Sequence, residues 1–248
     1  CVEYLTSFHA ILETLKAGNS RCCLYITENS QRRGPRIREI LDEALSQNIS
    51  IQYVPESRLD EMSKDQRGAI LALEEVFKKK PSLKALCDRV SEPRPSLILV
   101  LDHIEDPQNL GAILRSADAF GVDAVIMPQR RASPISNAAA RASAGAIAWV
   151  PILRLSNLRS AVDTLKKAGY WVYAADMDGK PLTSAGIAPK SVIILGNEGS
   201  GVSQILRKVA DDIVSIPMQG HVESLNVSVS AAILMYEFWR SNSGASSI

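Results

Sequence analysis

The chain has 248 residues, 46% of them hydrophobic and 22% charged, enough for one large domain or two ordinary ones and unlike a largely disordered chain. No uncharged apolar run nears the roughly 18 residues that span a bilayer, which speaks against an integral membrane protein. A formal net charge of +1 gives no global signal for nucleic acid.

Four cysteines, with Cys22 and Cys23 adjacent and no CxxC or Cys/His cluster, predict a reducing compartment and no structural zinc. Cys1-Val2-Glu3-Tyr4 lacks the basic start and apolar core of a secretory signal. A cytoplasmic protein is expected, with an organelle matrix as the alternative if a leader has been removed.

In chain order, Phe8 to Leu15 reads as a helix stopped by Gly18, and Cys22 to Ile26 as a strand. Ile37, Ile40, Leu41, Ala44 and Leu45 mark a second helix, followed by a strand over Ile49 to Val54. Ser57 is a candidate cap for a short helix, and Ala69 to Val76 closes the unit as a strand. Lys78 to Ser96 is charged, carries three prolines and reads as a connection between two domains.

Beyond it the alternation is cleaner. Leu97 to Leu101 is a continuous apolar run, as expected of a strand covered on both faces. Similar runs recur at Ala124–Met127, Trp149–Leu153, Tyr170–Ala174, Val192–Leu195 and Ile213–Ile216. Asp106-Pro107 supplies a cap and first-turn proline for a helix reaching Phe120, with Gly121 as its stop. Ser133-Pro134 repeats that device. Strands alternating with helices predict an α/β fold with a mostly parallel sheet. A last helix, from about Ser224 to Arg240, is apolar around most of its circumference. Such a helix is buried on more than one side, with a subunit interface favoured over a central core position.

Charge is unevenly placed. Arg130, Arg131, Arg141, Arg154 and Arg159 fall in a stretch without an acidic residue, and Arg32, Arg33, Arg36 and Arg38 form a second cluster. Phosphate binding and an ordinary solvated surface explain them equally well.

Ligands of parallel α/β sheets sit beyond the carboxyl ends of the strands. Three such ends are polar and glycine-bearing: Asp102 to Asn109 leading to Arg115, Gly196 to Gly201, and Pro217 to Asn226. Familiar chemistries do not fit them. GNEGSG lacks the Lys-Ser/Thr ending of a phosphate loop and the GxGxxG spacing. His9, His103 and His221 lack metal-ligand spacing, and no GxSxG elbow is present. Asp102, Glu105 and Asp106 are explained by turns and caps more cheaply than by magnesium. Arg115 stands on a helix among Leu110, Ile113, Leu114 and Ala117, so its head is expected to reach a polar partner at the helix edge. Ser224 is the expected cap of the last helix.

LDHIEDPQNLGAILRSADAFG, LGNEGSGV and SIPMQGHVESLNVSVSAAI together resemble the three signature motifs of the SpoU (TrmH) ribose 2′-O-methyltransferases, over roughly residues 96 to 240. The amino-terminal part resembles the family's small ribosomal-protein-L30e-like RNA-binding domain, on Phe8-His9-Ala10-Ile11-Leu12 and Gln66-Arg67-Gly68-Ala69-Ile70. Ser7 departs from the glycine common before that first turn. The two-domain plan is similar to the large-subunit rRNA guanosine-2′-O-methyltransferases.

This resemblance implies an RNA substrate-binding domain over 1–77, a linker over 78–95 and a methyltransferase domain over 96–248. It further implies a deep trefoil knot, a homodimer through the knotted domain and last helix, and S-adenosylmethionine as cofactor, with no metal. Carried over by position, Gly196, Ile216, Met218 and Leu225 would bind the cofactor. Asn109, Arg115, Glu198, Ser224 and Asn226 would form the catalytic set. Arg115 would contact the target hydroxyl and adjacent phosphate and assist deprotonation; a guanidinium of pKa above ~12 needs phosphate help or a perturbed setting for that. rRNA is favoured over tRNA as substrate. A non-catalytic RNA-binding assembly factor on the same scaffold is the alternative from another class.

Overall fold

The computed structural model describes residues 3–17, 22–28, 34–73, 82–130, 132–133, 137–182, 186–197, 199–222 and 224–243. Gly18, Arg32, Arg33, Arg131, Pro134 and Glu198, named above, lie outside the described residues, as do 74–76 of the expected strand and 78–81 of the expected connection.

The amino-terminal sheet joins β1 (Glu3–Leu5), β2 (Cys22–Thr27), β3 (Ser50–Val54) and β4 (Ala69–Leu73) in the order β1-β4-β2-β3. β2 and β3 run parallel, and β4 is antiparallel to β1 and β2. β1 is too short to carry a pattern of its own. Helices α1 (Phe8–Lys16) and α2 (Pro35–Ser46) pack on each other, and α3 (Glu56–Met62) packs on β2.

The second helix forms as expected, though not all of its apolar residues are buried, and one cap is corrected. Ile37, Ile40 and Ala44 are buried, but Leu45 is 63% exposed, because the turn of one residue past Ala44 carries it off the apolar stripe. Pro55, not Ser57, precedes α3, its fixed φ ending β3 and leading into the first turn.

The second sheet is six-stranded and parallel throughout. Its strands are β5 (Ser96–Asp102), β6 (Ala124–Pro128), β7 (Ile152–Leu155), β8 (Trp171–Pro181), β9 (Lys190–Gly196) and β10 (Asp212–Ser215), in the order β10-β8-β9-β5-β6-β7. Alternate side chains of β5 serve two cores, as the period of two requires. Leu97, Leu99 and Leu101 pack with α5 (Pro107–Ala119), α6 (Asn137–Ala142) and α9 (Val227–Asn242). Ile98 and Val100 pack with α4 (Leu83–Asp88), α7 (Leu158–Ala168) and α8 (Gln204–Arg207). Asp106 caps α5, accepting from Gln108 N at 2.9 Å, and Gly121 follows it at φ 66°.

Tertiary context changed three readings. The strand expected from Trp149 begins only at Ile152; a 3₁₀ turn over Ala146–Ala148 precedes it. Pro151 has no N–H to give to a ladder, so pairing starts after it. Trp149 instead donates its indole N–H to Glu13 of α1 at 3.2 Å. β8 runs seven residues past Ala174, because its pairing with β10 jumps from Ala174↔Ile213 to Lys180↔Val214. Residues 175–179 therefore arch away from the sheet edge, and a Cβ on Gly179 would meet the Val214 backbone at 2.5 Å.

The charged connection is also no bare tether. Leu86 of α4 is fully buried, and the Tyr170 hydroxyl donates to its carbonyl at 3.0 Å. Lys190 Nζ donates to the carbonyls of Arg89, Glu92 and Arg94 at 2.6, 2.8 and 2.8 Å. Arg89 and Arg94 both pair with buried Asp123. These bonds fix the segment to the parallel sheet despite its weak apolar period.

The amino-terminal unit sits against α6 and the 3₁₀ turn through α1. Apolar packing runs without a break from Leu5, Ile11 and Ile40 to Ile113 and Ile147.

Candidate functional site

The site begins where β9 ends. Gly196 leads into a tight loop in which Gly201 N donates to Asn197 O at 2.9 Å and Gly199 N to Asn197 Oδ1 at 2.7 Å. Asn197 Nδ2 donates across to the carbonyl of His103, after β5, at 3.3 Å. The loop closes on Gly196 so tightly that a Cβ there would lie 2.0 Å from the Gly201 carbonyl carbon. Only glycine allows that approach.

Between this loop, the segment after β10, the start of α9 and the β8 arch lies a cavity of about 610 Å³. Its walls include Gly196 and Gly201, then Ile216 and Met218, then Ser224 and Leu225. The arch contributes Asp176 and Met177, and α9 contributes Val227, Ser230 and Leu234. Asp176 Oδ2 accepts from Arg207 Nη1 of α8 at 2.6 Å, which fixes the arch from behind. Much of the lining is glycine backbone and aliphatic side chain. Such walls suit a flat heterocycle held by apolar contact and read by main-chain groups.

All four positions expected to hold a cofactor, Gly196, Ile216, Met218 and Leu225, thus line one cavity, and Ser224 joins them. The remaining expected residues divide. Asn226, not Ser224, caps α9: its Oδ1 accepts from Ser228 N at 2.9 Å and Ser228 Oγ at 2.6 Å. The chain enters the helix two residues later than expected, which frees Ser224 to face the cavity. Asn226 Nδ2 donates to Oδ1 of Asn109, a buried residue in the first turn of α5, at 3.0 Å. Glu198 lies outside the described residues.

Arg115 is not brought to this cavity. It lies about 9 Å further along α5 than Asn109 and some two-thirds of a turn around it, exposed, on the side opposite buried Leu110, Ile113 and Ala117. It makes no hydrogen bond or ion pair among the described residues, which therefore do not supply the partner expected at the helix edge.

α5 and α9 lie side by side, parallel. Asn109 and Asn226 meet at their amino ends, and Phe120 and Tyr236 at the other, ring centroids 6.1 Å apart. One side of α9 is buried, through Ala231, Leu234, Met235 and Phe238. The other side leaves Val229, Tyr236 and Trp239 46–48% exposed, so within one chain this helix is covered on a single side.

The β8 arch is the part of the site that the motifs did not reveal. Asp178-Gly179 is a turn signal inside an otherwise strand-like run, and it marks the place.

Among the described residues no cluster of three or more His, Cys, Asp or Glu is placed to hold a metal ion, and no helix is long and apolar enough to cross a membrane.

Comparison with known proteins places this geometry. The family described as SpoU rRNA Methylase matches residues 96–236. The family described as RNA 2′-O ribose methyltransferase substrate binding matches residues 8–77. A Staphylococcus haemolyticus protein described as a TrmH family tRNA/rRNA methyltransferase is 37% identical over 94% of this chain and 93% of its own length. A solved RNA 2′-O ribose methyltransferase superposes with a TM-score of 0.71 at 28% identity, over 97% of this chain and 88% of that one. An AdoMet-bound rRNA methyltransferase from Sinorhizobium meliloti does so at 0.76 and 22%, over 96% and 87%; at that identity it speaks for the fold alone.

Proposed function

Since the chain belongs to the SpoU rRNA methylase family of RNA methyltransferases, we propose that it transfers a methyl group from S-adenosylmethionine to a ribose 2′-hydroxyl of RNA, at a guanosine of large-subunit rRNA. The observation that carries this reading is the single cavity onto which Gly196, Ile216, Met218 and Leu225 converge.

The residues present fit the cofactor. Leu195, Leu225 and Leu234 offer apolar walls, and the backbone at Gly196, Ile216 and Leu225 offers main-chain polar groups beside them. The close Gly196–Gly201 approach shapes the cradle. When bound, S-adenosylmethionine supplies a methyl group already activated on a sulfonium, so no metal is needed. The protein's part is to hold the ribose oxygen in line and to ease loss of its proton. Asn109 and Asn226, tied to each other, would set the position of the helix starts beside the nucleotide, with Ser224 on the cavity wall and Glu198 as a further member of the catalytic set. Arg115 would hold the phosphate next to the target ribose and assist deprotonation through it, since a guanidinium alone is a poor base.

A homodimer follows from the same reading. The exposed Val229, Tyr236 and Trp239 of α9 and the outward Arg115 of α5 would be covered by a second copy. Arg115 would then act on the ribose held at its partner's cavity. We extend the proposal to the knotted carboxyl-terminal domain, 96–248, and to RNA gripping by 1–77, joined through 78–95. A substrate as large as rRNA favours a protein with that additional RNA-holding unit, and the family described as RNA 2′-O ribose methyltransferase substrate binding matches residues 8–77.

The test is methylation with radiolabelled S-adenosylmethionine of rRNA and tRNA from cells lacking this protein. Label in large-subunit rRNA at an alkali-resistant guanosine linkage is expected. Label only in tRNA would replace the substrate assignment. Cofactor and RNA binding without transfer would replace the enzyme by a binding factor.

A further inference from the structure

A second cavity, of about 550 Å³, opens at the carboxyl ends of β5, β6 and β7, across the β9 loop from the first. The same stretch of chain serves both. Gly196, Asn197 and Gly199 to Gly201 wall the first cavity, and Ser203, Ile205 and Leu206 wall the second.

Of the arginines that the sequence concentrates between Asp123 and Asp163, two converge here. Arg130 follows β6 and Arg159 stands in the first turn of α7. Arg130 makes no hydrogen bond or ion pair among the described residues. Arg159 has one loose ion pair, 3.7 Å from Asp163, with its side chain 59% exposed. Arg141 and Arg154 are engaged elsewhere, with Asp65 and the Ser133 carbonyl.

His103 is the third element. It holds a left-handed backbone, φ 60°, which a non-glycine residue adopts only at a cost. Its Nδ1 lies 2.7 Å from Oδ1 of buried Asp102, whose other oxygen accepts from Ser203 N at 2.8 Å. A carboxylate only accepts, so Nδ1 carries the proton, and Nε2 is the ring nitrogen that Asp102 does not engage, on a residue that lines the cavity. Asp102, the one acidic residue among the described lining, is thereby consumed. What remains is positive and hydrogen-bonding, beside an apolar wall that includes Ile205, 59% exposed.

We propose that this cavity binds a nucleotide of the RNA substrate that flanks the methylated one. Arg130 and Arg159 would take its phosphodiester, His103 Nε2 would take a polar edge of the base or ribose, and Ile205 would lie against the base. A planar apolar ring joined to an anion matches a cleft with one apolar and one cationic wall. The inference rests on the RNA methyltransferase reading and extends it from the reacting ribose to its neighbour. These residues position the substrate and do not touch the reacting atoms.

The test uses the full chain carrying Arg130→Ala and Arg159→Ala together, and separately His103→Gly, which keeps the positive φ and removes the ring. Fluorescence anisotropy with a short labelled mixed-sequence single-stranded RNA reads binding, and calorimetry with S-adenosylmethionine reads the first cavity. The double variant is expected to bind RNA at least tenfold more weakly at low salt with cofactor affinity unchanged. Its salt dependence should flatten, by about 0.7 in log–log slope for each lost phosphate contact. In turnover KM rises and kcat holds. His103→Gly should weaken RNA binding with little change in salt slope.

Unchanged RNA affinity and slope in the double variant, with cofactor binding intact, overturn the inference. Competition by a nucleoside monophosphate alone, with RNA binding untouched by the substitutions, overturns it in favour of a small-ligand site. Because binding is read apart from turnover, a wild-type chain that binds RNA but methylates none sinks the enzymatic reading and leaves this result distinguishable.

Discussion

Asn226 and Asn109 share one hydrogen bond, Nδ2 to Oδ1 at 3.0 Å, and through it the last helix is registered against α5 at the edge of the cavity. Asn226 uses its own Oδ1 to cap α9. One side chain therefore ends a loop, starts a helix and aligns a second helix.

Replacing Asn226 by alanine removes both functions. Loss of the cap costs about 1 kcal/mol, and Asn109 Oδ1 loses a donor in a buried setting, worth about a further 1 kcal/mol. A lower melting temperature and weaker cofactor binding by calorimetry are expected. Asn226→Asp keeps the capping oxygen and discards the Nδ2 donor. It should recover much of the stability but little of the methyl transfer; equal recovery of both would show that the bond to Asn109 is incidental.

Gly196→Ala places a Cβ 2.0 Å from the Gly201 carbonyl carbon. Backbone cannot yield as a flexible side chain does, so the β9 loop must move. Cofactor affinity is expected to fall at least tenfold, by about 1.4 kcal/mol or more. Gly220→Ala is the control, since a Cβ there meets nothing within 4 Å. Similar affinities for the two variants in isothermal titration would place the cofactor elsewhere.

Arg115→Ala should retain cofactor binding and lose methyl transfer to rRNA. Because Arg115 faces outward from its own chain, the dimer reading makes a sharper demand. Mixing Arg115→Ala chains with Gly196→Ala chains after mild dissociation, at a cofactor concentration too low to load the Gly196→Ala cavity, should restore part of the activity, through mixed dimers in which one site is whole. No recovery, with mixed dimers demonstrated by mass, would assign Arg115 to its own chain's site. A purified Arg115→Ala protein with wild-type turnover would remove it from the mechanism.

Asp123 is buried and serves Arg89, Arg94 and the hydroxyl of Ser96. Its pairing, first through the side-chain hydrogen bond, raises the Arg94 pKa further above its ordinary value. Asp123→Ala leaves those donors without their shared acceptor. Both guanidinia keep partial access to water, which limits the cost to about 3 kcal/mol. Urea melts should show the loss, and limited proteolysis should cut first near α4, which this network secures.

Burial, with the neighbouring Cys23 adding to it, pushes the Cys22 thiol up to about 11 from 9.0. A raised pKa means that the folded state favours the neutral thiol. That preference is fully present below pH 9 and is lost as pH rises through about 11. Stability measured by denaturant titration should therefore decline across that window, and Cys22→Ala should flatten the decline. Iodoacetamide at pH 8 should leave Cys22 unmodified in the folded protein, because the thiolate is the nucleophile. Rapid labelling there would contradict the burial argument.

The central strands of the parallel sheet were legible in the sequence. Leu97 to Leu101 and Val192 to Leu195 are apolar without interruption because a strand covered on both faces has no side to give to water. The cap at Asp106 and the glycine stop at Gly121 are equally local. The chemistry was legible for a different reason: three loops that hold polar and glycine residues after apolar strands resemble one family's motifs, and four of those positions, Gly196, Ile216, Met218 and Leu225, reach one cavity.

What tertiary structure alone decided involves residues far apart in the chain. Strand order, the arch of 175–179 against Val214 and the anchoring of α4 by Lys190 and Asp123 depend on partners tens of residues away, and no window of sequence carries that pairing. The choice of Asn226 over Ser224 as the cap was within two residues, yet the packing of α9 on α5 settled it. Arg115 shows the limit most clearly. Its helix and its flanking apolar residues were readable, but the side it faces was set by which stripe of α5 the sheet buried, and that stripe turned the guanidinium outward.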